Sequence, residues 1–481
     1  MSHTSRISAL VRKSIVASLE NELPDSPDGE IDTTPGNGTG DNLSTIVAEN
    51  GKLDRPAVVS VEDAELAADV VEAENDLDAG NGAVDQLETA RETLERSADL
   101  AERSLDEGGM SPQTAEAVEI AVDNVREQLG VEESPMPATE SFGGSSTRYD
   151  ATVASLEGIK DMAKTVGNAI VEAIKRVKAF LQRLFNKLME FMLGLERRNK
   201  SLRASIETAK KTMRASKHAS IDIGELFERI NIDGKVDVNH TKNITAVIEG
   251  AKVFDAGVLA GLKETRDALA KVENGDVPTG VLIGLEREPG APKGFTKQGT
   301  EYVTPVLPGN VQFKIVRNEN PEKAEDAGTA DSELKSIGAA IRRIRARIAS
   351  GWKLVREENA TKINSDTENT TTYALTTDQC VVVADMVDVV VAQRKAAGEM
   401  KEAKELNFTL GEKYNSLKNL DRDGQAAYSS ALSKFASRIS LANQASAKVI
   451  TYATRAAAAY QTFALKSLRA PSQSQAPVPT K

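Results

Sequence analysis

Apolar positions along the chain change period several times, and each change marks a boundary. Residues 3–20 place Ile7, Leu10, Val11, Ile15 and Leu19 on one side of a short amphipathic helix. Residues 21–58 carry no such pattern. Pro24, Pro27, Pro35, Gly36, Gly38 and Gly40 stand there among Asp, Asn, Ser and Thr, the composition of a flexible linker too polar to build a core. From Val61 to about Gly130 a thin apolar stripe of Leu77, Val84, Leu87, Leu94 and Leu100 predicts three helices, over 61–79, 83–107 and 112–129. Gly80-Asn81-Gly82 and Gly108-Gly109 separate them, and Ser111-Pro112 reads as an N-cap followed by a first-turn proline. A second linker spans residues 132–144. Its Pro135, Pro137, Gly143 and Gly144 predict an extended strand open to a protease.

Residues 152–217 are expected to be mostly helical. Ile170, Ile174, Val177, Leu181, Leu184, Leu188, Phe191 and Leu195 repeat at alternating three- and four-residue spacing, with Lys164, Lys175, Arg176, Lys178, Arg183 and Lys187 on other faces. Three uses of such a surface stand open: burial against other helices, an intermolecular coiled coil, or a basic amphipathic face lying on a membrane through Phe180, Phe185, Phe191 and Met192. The middle of the chain mixes periods. Asp233-Gly234 predicts a hairpin turn, residues 242–273 a helix, and 279–285, 300–306 and 311–317 strands. Weaker strand patterns fall at 352–356 and 370–376. Residues 332–349 predict a basic helix, and 377–404, 408–419 and 423–468 predict further helices. The fold class expected is therefore mainly α-helical with a small α+β middle region and a disordered or loosely helical acidic N-terminal arm. Its expected divisions are 1–140, an acidic leader region; 141–218, a basic amphipathic helical region; 219–331, a small α+β region; 332–470, a helical C-terminal domain; and 471–481, a disordered tail.

Charge changes this picture more than composition does. Residues 1–140 hold 9 Lys/Arg against 32 Asp/Glu, a net of −23, whereas residues 141–481 hold 51 against 40, a net of +11. The overall −12 describes neither half. A loose acidic arm can screen a basic body until polyanions compete for it or the arm is removed. A continuous packed unit across residues 100–160 would be incompatible with such an arm. Aromatics make up only 4% of the chain, and alanine-rich runs dominate its last third, favouring close helix packing. A single cysteine, Cys380, excludes an internal disulfide and sits in an apolar run, as a buried structural thiol would. No apolar run approaches the length that crosses a bilayer, and no signal-peptide pattern opens the chain. Synthesis in a reducing, cytoplasmic-type compartment is the expectation.

Enzyme signatures are thin. His3, His218 and His240 are scattered, and no HExxH, metal-spaced Cys/His set, Walker loop, GxGxxG or nucleophile elbow occurs. His240 beside Asp237 could form an acid–base pair, but a polar turn explains both. Asp421-Arg422-Asp423-Gly424 lacks the remaining spacing of a calcium loop. No catalytic, cofactor or metal residues are assigned. Arg342, Arg343, Arg345 and Arg347 are candidate phosphate contacts of the non-specific, bidentate kind.

At Ala138-Thr139-Glu140 the chain resembles the internal head, or inner-body, proteins of phiKZ-like giant bacteriophages. The resemblance implies a cleavable N-terminal propeptide, cut after Glu in a Ser/Ala/Gly-x-Glu triplet by the phage's head-maturation protease. Ala138, Thr139, Glu140 and Ser141 would then be the cleavage-recognition residues, and the product would begin at Ser141. Ser18-Leu19-Glu20, Ser60-Val61-Glu62, Gly130-Val131-Glu132 and Ser155-Leu156-Glu157 fit the same triplet, with Glu20 and Glu62 as candidate additional cuts and Glu157 expected to be protected within a helix. The implied function is that of a virion structural protein, packaged in the head interior and possessing no enzyme activity of its own. Its implied partners are the maturation protease, capsid or inner-body proteins, packaged double-stranded DNA held non-specifically, and further copies of itself; ejection into the host is a further implication. A prohead scaffolding protein and an unrecognised ejected enzyme are the rivals.

Overall fold

The computed structural model describes residues 7–13, 61–131, 134–144, 147–211, 220–273, 291–317, 351–358, 371–397 and 444–470, with single helical positions at 341, 344, 428, 431, 435 and 438. Helix dominates, with a small strand-containing region, as expected, and within the acidic N-terminal region residues 61–106 and 112–129 are helices. In chain order the helices are α1 (7–13), α2 (Val61–Asp106), α3 (Pro112–Leu129), α4 (Arg148–Lys211), α5 (Leu226–Ile230), α6 (Thr241–Glu273), α7 (Thr377–Ala397) and α8 (Gln444–Arg469). The strands are β1 (Ser220–Asp222), β2 (Asn231–Ile232), β3 (Lys235–Val236), β4 (Thr296–Gln298), β5 (Glu301–Val303), β6 (Gln312–Arg317), β7 (Trp352–Glu357) and β8 (Thr371–Tyr373).

Two long helices organise one end. At 64 residues, α4 extends for about 96 Å. The stripe read from its sequence is buried: Ile170, Val177, Leu181, Leu184, Leu188, Phe191 and Leu195 face inward, and Ile174 is half-buried. Opposite lies α2, whose Val70, Leu77, Val84, Leu87 and Leu94 are likewise buried. Burial against other helices is thus the use made of the α4 surface. Phe185, Phe191 and Met192, which a membrane-lying face would need outside, are in this core.

The expected break at Gly80-Asn81-Gly82 does not occur, and α2 runs through it. A Cβ on Gly80 would stand 2.9 Å from Cγ2 of Val177, and one on Gly82 2.7 Å from Cδ1 of Ile7. These glycines let neighbouring chain segments approach closely, and that close fit outweighs their low helix propensity. The second break is real. Gly108 and Gly109 take φ of +87° and +107°, and Ser111 Oγ accepts from the Thr114 N–H at 3.1 Å to start α3 behind Pro112.

The other end is mixed. An antiparallel meander β4-β5-β6-β7 presents Phe313 and Ile315 inward, while Gln312 and Lys314 alternate away. Phe313 pairs with Arg356 and Ile315 with Leu354, so these β7 side chains share the covered face. The stretch expected to be a C-terminal helical domain therefore lends β7 to the sheet of the α+β region, and β8 pairs with β1. Asp233 and Gly234 (φ 50° and 74°) make the tight hairpin turn between β2 and β3 that the sequence predicts. Strands expected at 300–306, 311–317, 352–356 and 370–376 coincide with β5 to β8; 279–285 and 408–419 lie outside the described residues.

Through the centre of this end runs α8. Its Ala447, Ala453, Ala456, Ala457, Ala459 and Ala464 are buried around most of its circumference, the pattern of a helix enclosed on all sides. Phe313 meets Tyr452 edge-on at 5.6 Å between ring centres, and the Tyr452 hydroxyl donates to the Pro308 carbonyl at 2.8 Å. Two apolar cores result, joined by α4 and α8, both of which contribute side chains to each.

Candidate functional site

Ala138-Thr139-Glu140-Ser141 is the first place to look for chemistry done to this chain. Thr139–Phe142 form one turn of 3-10 helix, where the sequence predicted an extended strand. The Ser141 N–H donates to the Ala138 carbonyl at 2.9 Å, and the Gly143 N–H to the Glu140 carbonyl at 3.2 Å. Ala138 and Glu140 are exposed, but Phe142 is only 1% exposed and anchors the turn in the helical core. Thr147 Oγ1 donates to the Ser141 carbonyl at 2.9 Å. A protease binds its substrate as an extended strand, so the turn must open before Glu140 can be cut. Ser155-Leu156-Glu157 sits inside α4 with Ser155 and Leu156 buried, the protection expected of it.

The surroundings of that turn are packed from both sides. The Met110 N–H donates to Thr152 Oγ1 at 2.8 Å, and Lys160 Nζ meets Glu102 at 3.3 Å. A Cβ on Gly158 would lie 2.5 Å from the Pro135 carbonyl oxygen. The described residues between 100 and 160 therefore form one continuous packed unit in the intact chain. Loose attachment is a question for residues 1–60, of which only α1 is described. Even α1 is seated, with Val11 buried and its Leu10 and Lys13 carbonyls accepting from Arg176 at 3.2 and 2.8 Å.

Acidity is concentrated in the packed part. Residues 61–140 hold 4 Lys/Arg against 23 Asp/Glu, so −19 of the −23 lies there. Along its length α2 pairs these carboxylates with cations of the body. Asp69 meets Lys187 at 2.9 Å, Asp76 meets Arg183 at 3.4 Å, and Asp78 meets Lys448 at 2.7 Å. The deepest pair is Glu74 with Arg356 of β7 at 3.2 Å, with side chains 8% and 17% exposed. Burial pushes the Glu74 carboxyl above its ordinary range, and the adjacent Arg356 guanidinium draws it back. Asn81 and Gln444 exchange amide hydrogen bonds at 2.9 and 3.1 Å, tying α2 to the start of α8. These pairs bring together residues more than a hundred positions apart, and nothing local in the sequence foretells the partners. A signal for Glu74 did exist: it falls on the apolar face between Val70 and Leu77, where a carboxylate needs a counter-charge.

Magnitudes decide what holds this interface. The rim pairs of Lys187 and Arg183 are partly exposed, and such pairs are worth about 0–1 kcal/mol each. Each fully buried Val or Leu is worth about 1.5–3 kcal/mol. The apolar stripe dominates; the charges set register and partner.

Other sequence-flagged groups have structural roles. Asp237 Oδ1 accepts from the Asn239 N–H at 2.9 Å, capping the short turn that contains His240, and its carbonyl accepts from the Tyr460 hydroxyl at 3.2 Å. Cys380 is fully buried, and burial pushes its thiol up to about 12. Arg342, Arg343, Arg345 and Arg347 lie outside the described residues, as do His3, His218 and Asp421–Gly424; Ile341 and Ile344, on the same segment, are buried. Among the described residues no group of three or more His, Cys, Asp or Glu is placed to hold a metal ion. No helix there is long and apolar enough to cross a membrane.

The described residues form two apolar cores, with ion pairs tying α2 to α4, β7 and α8. The family of phiKZ-like phage internal head proteins matches residues 65–466, and the chain belongs to it. That membership gives it a virion structural role and places it inside the phage head. No curated protein and no solved structure matched it.

Proposed function

We propose that this chain is packaged in the head as a structural component of the protein-rich interior and is processed there by the head-maturation protease after Glu140. Support comes from the exposed Ala138 and Glu140 on a single turn between two helical blocks, in a family whose members reside in the head. The chain is the substrate: Ala138, Thr139, Glu140 and Ser141 would fill the protease's cleft, and the nucleophile belongs to the protease. Glu20 and Glu62, upstream of the packed helices or at their start, are the further cuts this reading admits.

Peptide mapping of purified virions tests it. A peptide with a native N-terminus at Ser141 is expected; abundant peptides that run intact through Glu140-Ser141 would contradict processing there. A second reading, non-specific association with packaged DNA, requires that residues 1–140 leave the body; it would then draw on the net +11 of residues 141–481 and the exposed Lys164, Lys175, Arg197, Lys200 and Lys211 along α4. Retention of the matured protein on duplex DNA should then fall steeply as salt rises.

A further inference from the structure

Resting on the processing reading, we infer that a cut after Glu140 releases nothing: residues 61–140 remain docked on the body as a second, non-covalent chain. The interaction surface is the apolar stripe of α4 with the cations that flank it, and its partner is this chain's own acidic helix pair.

Four observations carry this. The helical core draws on both sides of the cut: Val70, Leu77, Leu87 and Leu94 of α2 pack with Ile159, Ile170, Val177 and Leu184 of α4, and Val118 and Val122 of α3 extend the same core along α2. Departure of α2 and α3 would bare a stripe along most of a 64-residue helix, far more apolar surface than a lone soluble protein exposes. The docking also reaches beyond α4, since Glu74 binds Arg356 on β7, and Asp78 and Asn81 bind Lys448 and Gln444 on α8. Loss of Glu74 would leave the Arg356 guanidinium, only 17% exposed, with Glu358 at 3.0 Å alone in place of two carboxylates. Finally, Phe142 and the Thr147–Ser141 hydrogen bond hold the new N-terminus in place, so the break alters one turn and no packed element.

A consequence separates this state from a shed leader. Shedding residues 1–140 turns a net −12 chain into a net +11 body, whereas a retained nick keeps −12. The retained complex meets other head proteins through its surface and gains no affinity for phosphate.

The test uses the full chain with a site-specific protease sequence inserted between Glu140 and Ser141, cut to completion as judged on a denaturing gel. Native mass spectrometry and gel filtration should return the mass of the whole chain. They should do so also at about 1 M salt, where the screening length falls to about 3 Å and charge pairing alone would let go. Retention on duplex DNA should be unchanged by the cut. A free 141–481 fragment of native mass, or a nick that raises DNA retention, would overturn the inference. Should the inserted site resist cutting, co-expression of 1–140 and 141–481 as separate chains decides. A one-to-one complex is expected; a soluble 141–481 fragment purifying alone contradicts it. Neither arm uses the phage protease, so an intact Glu140-Ser141 bond in virions would defeat the processing reading without touching this one.

Discussion

The helical core around α2 and α4 and the mixed core around α8 solve the same problem by different means. The first uses aliphatic stripes on two long helices, with Phe142, Phe185 and Phe191 as its buried aromatics and ion pairs along its rim. The second gathers Phe227, Phe254, Phe295, Tyr302, Phe313, Tyr452, Tyr460 and Phe463 around an alanine-lined helix, and Tyr452 and Tyr460 donate to distant carbonyls. One core repeats a simple contact along its length; the other depends on a few large side chains, each with a specific seat. A stripe distributes its stabilisation, so it tolerates a backbone break at its end. A keyed core does not tolerate loss of a key.

The largest expected effect tests that contrast at its strongest point. Phe313→Ala removes a fully buried ring that meets Tyr452 and should cost about 4 kcal/mol in thermal or urea unfolding. Hydrogen exchange should show the loss in β6 and α8 and leave α2 protected; equal loss in both cores would mean that they open as one unit. Leu87→Ala, at a fully buried stripe position, should cost about 3 kcal/mol with the opposite distribution.

Next comes Asp255, which joins α6 to the start of α8 by accepting from the Ser446 N–H at 2.7 Å. Its other oxygen, Oδ1, is buried and has no hydrogen-bond partner among the described residues, and burial raises the carboxyl to about 7. The folded value lies above the ordinary 3.8, so the ionised form carries a penalty that is full above about pH 7 and relieved as pH falls from there toward 4. Asp255→Asn should therefore stabilise the protein on the order of 1–3 kcal/mol at pH 8, and flatten the gain that the unaltered chain shows between pH 8 and 5. A variant that weakens the protein equally at both pH values would assign Asp255 a capping role alone.

Gly80→Ala gives a smaller change with an informative sign. If Gly80 merely weakens α2, alanine should add up to about 1 kcal/mol. The 2.9 Å approach to Val177 predicts a loss of about 1 kcal/mol instead, read from the urea midpoint. Glu172→Ala, removing an exposed pair with Lys175, should move stability by less than about 0.5 kcal/mol.

Local patterns made much of this fold legible. The α4 stripe, the Ser111-Pro112 start, the Asp233-Gly234 hairpin and the alternation in β6 each follow from a few adjacent residues. What joins them did not follow. Gly80 and Gly82 look alike as breakers and as close-contact points until Val177 and Ile7 are seen beside them. Likewise, the 32 acidic residues in 1–140 read as a screening arm when summed, because net charge carries no information about which cation each carboxylate meets. Asp78–Lys448 and Glu74–Arg356 span several elements and are visible only in the folded chain. The Glu140 triplet was legible, and its turn geometry was not, since Pro and Gly mark a linker without saying what its Phe142 will anchor to.

In the folded chain the acidic helices are built into the body and do not shield it from outside. Quantitative peptide mapping of mature virions tests it most directly, by comparing the abundance of peptides from 61–129 with those from α4 and α8. A one-to-one ratio, with or without a Ser141 N-terminus, is what the packed core predicts. Abundant α4 and α8 peptides with those from 61–129 absent would contradict it.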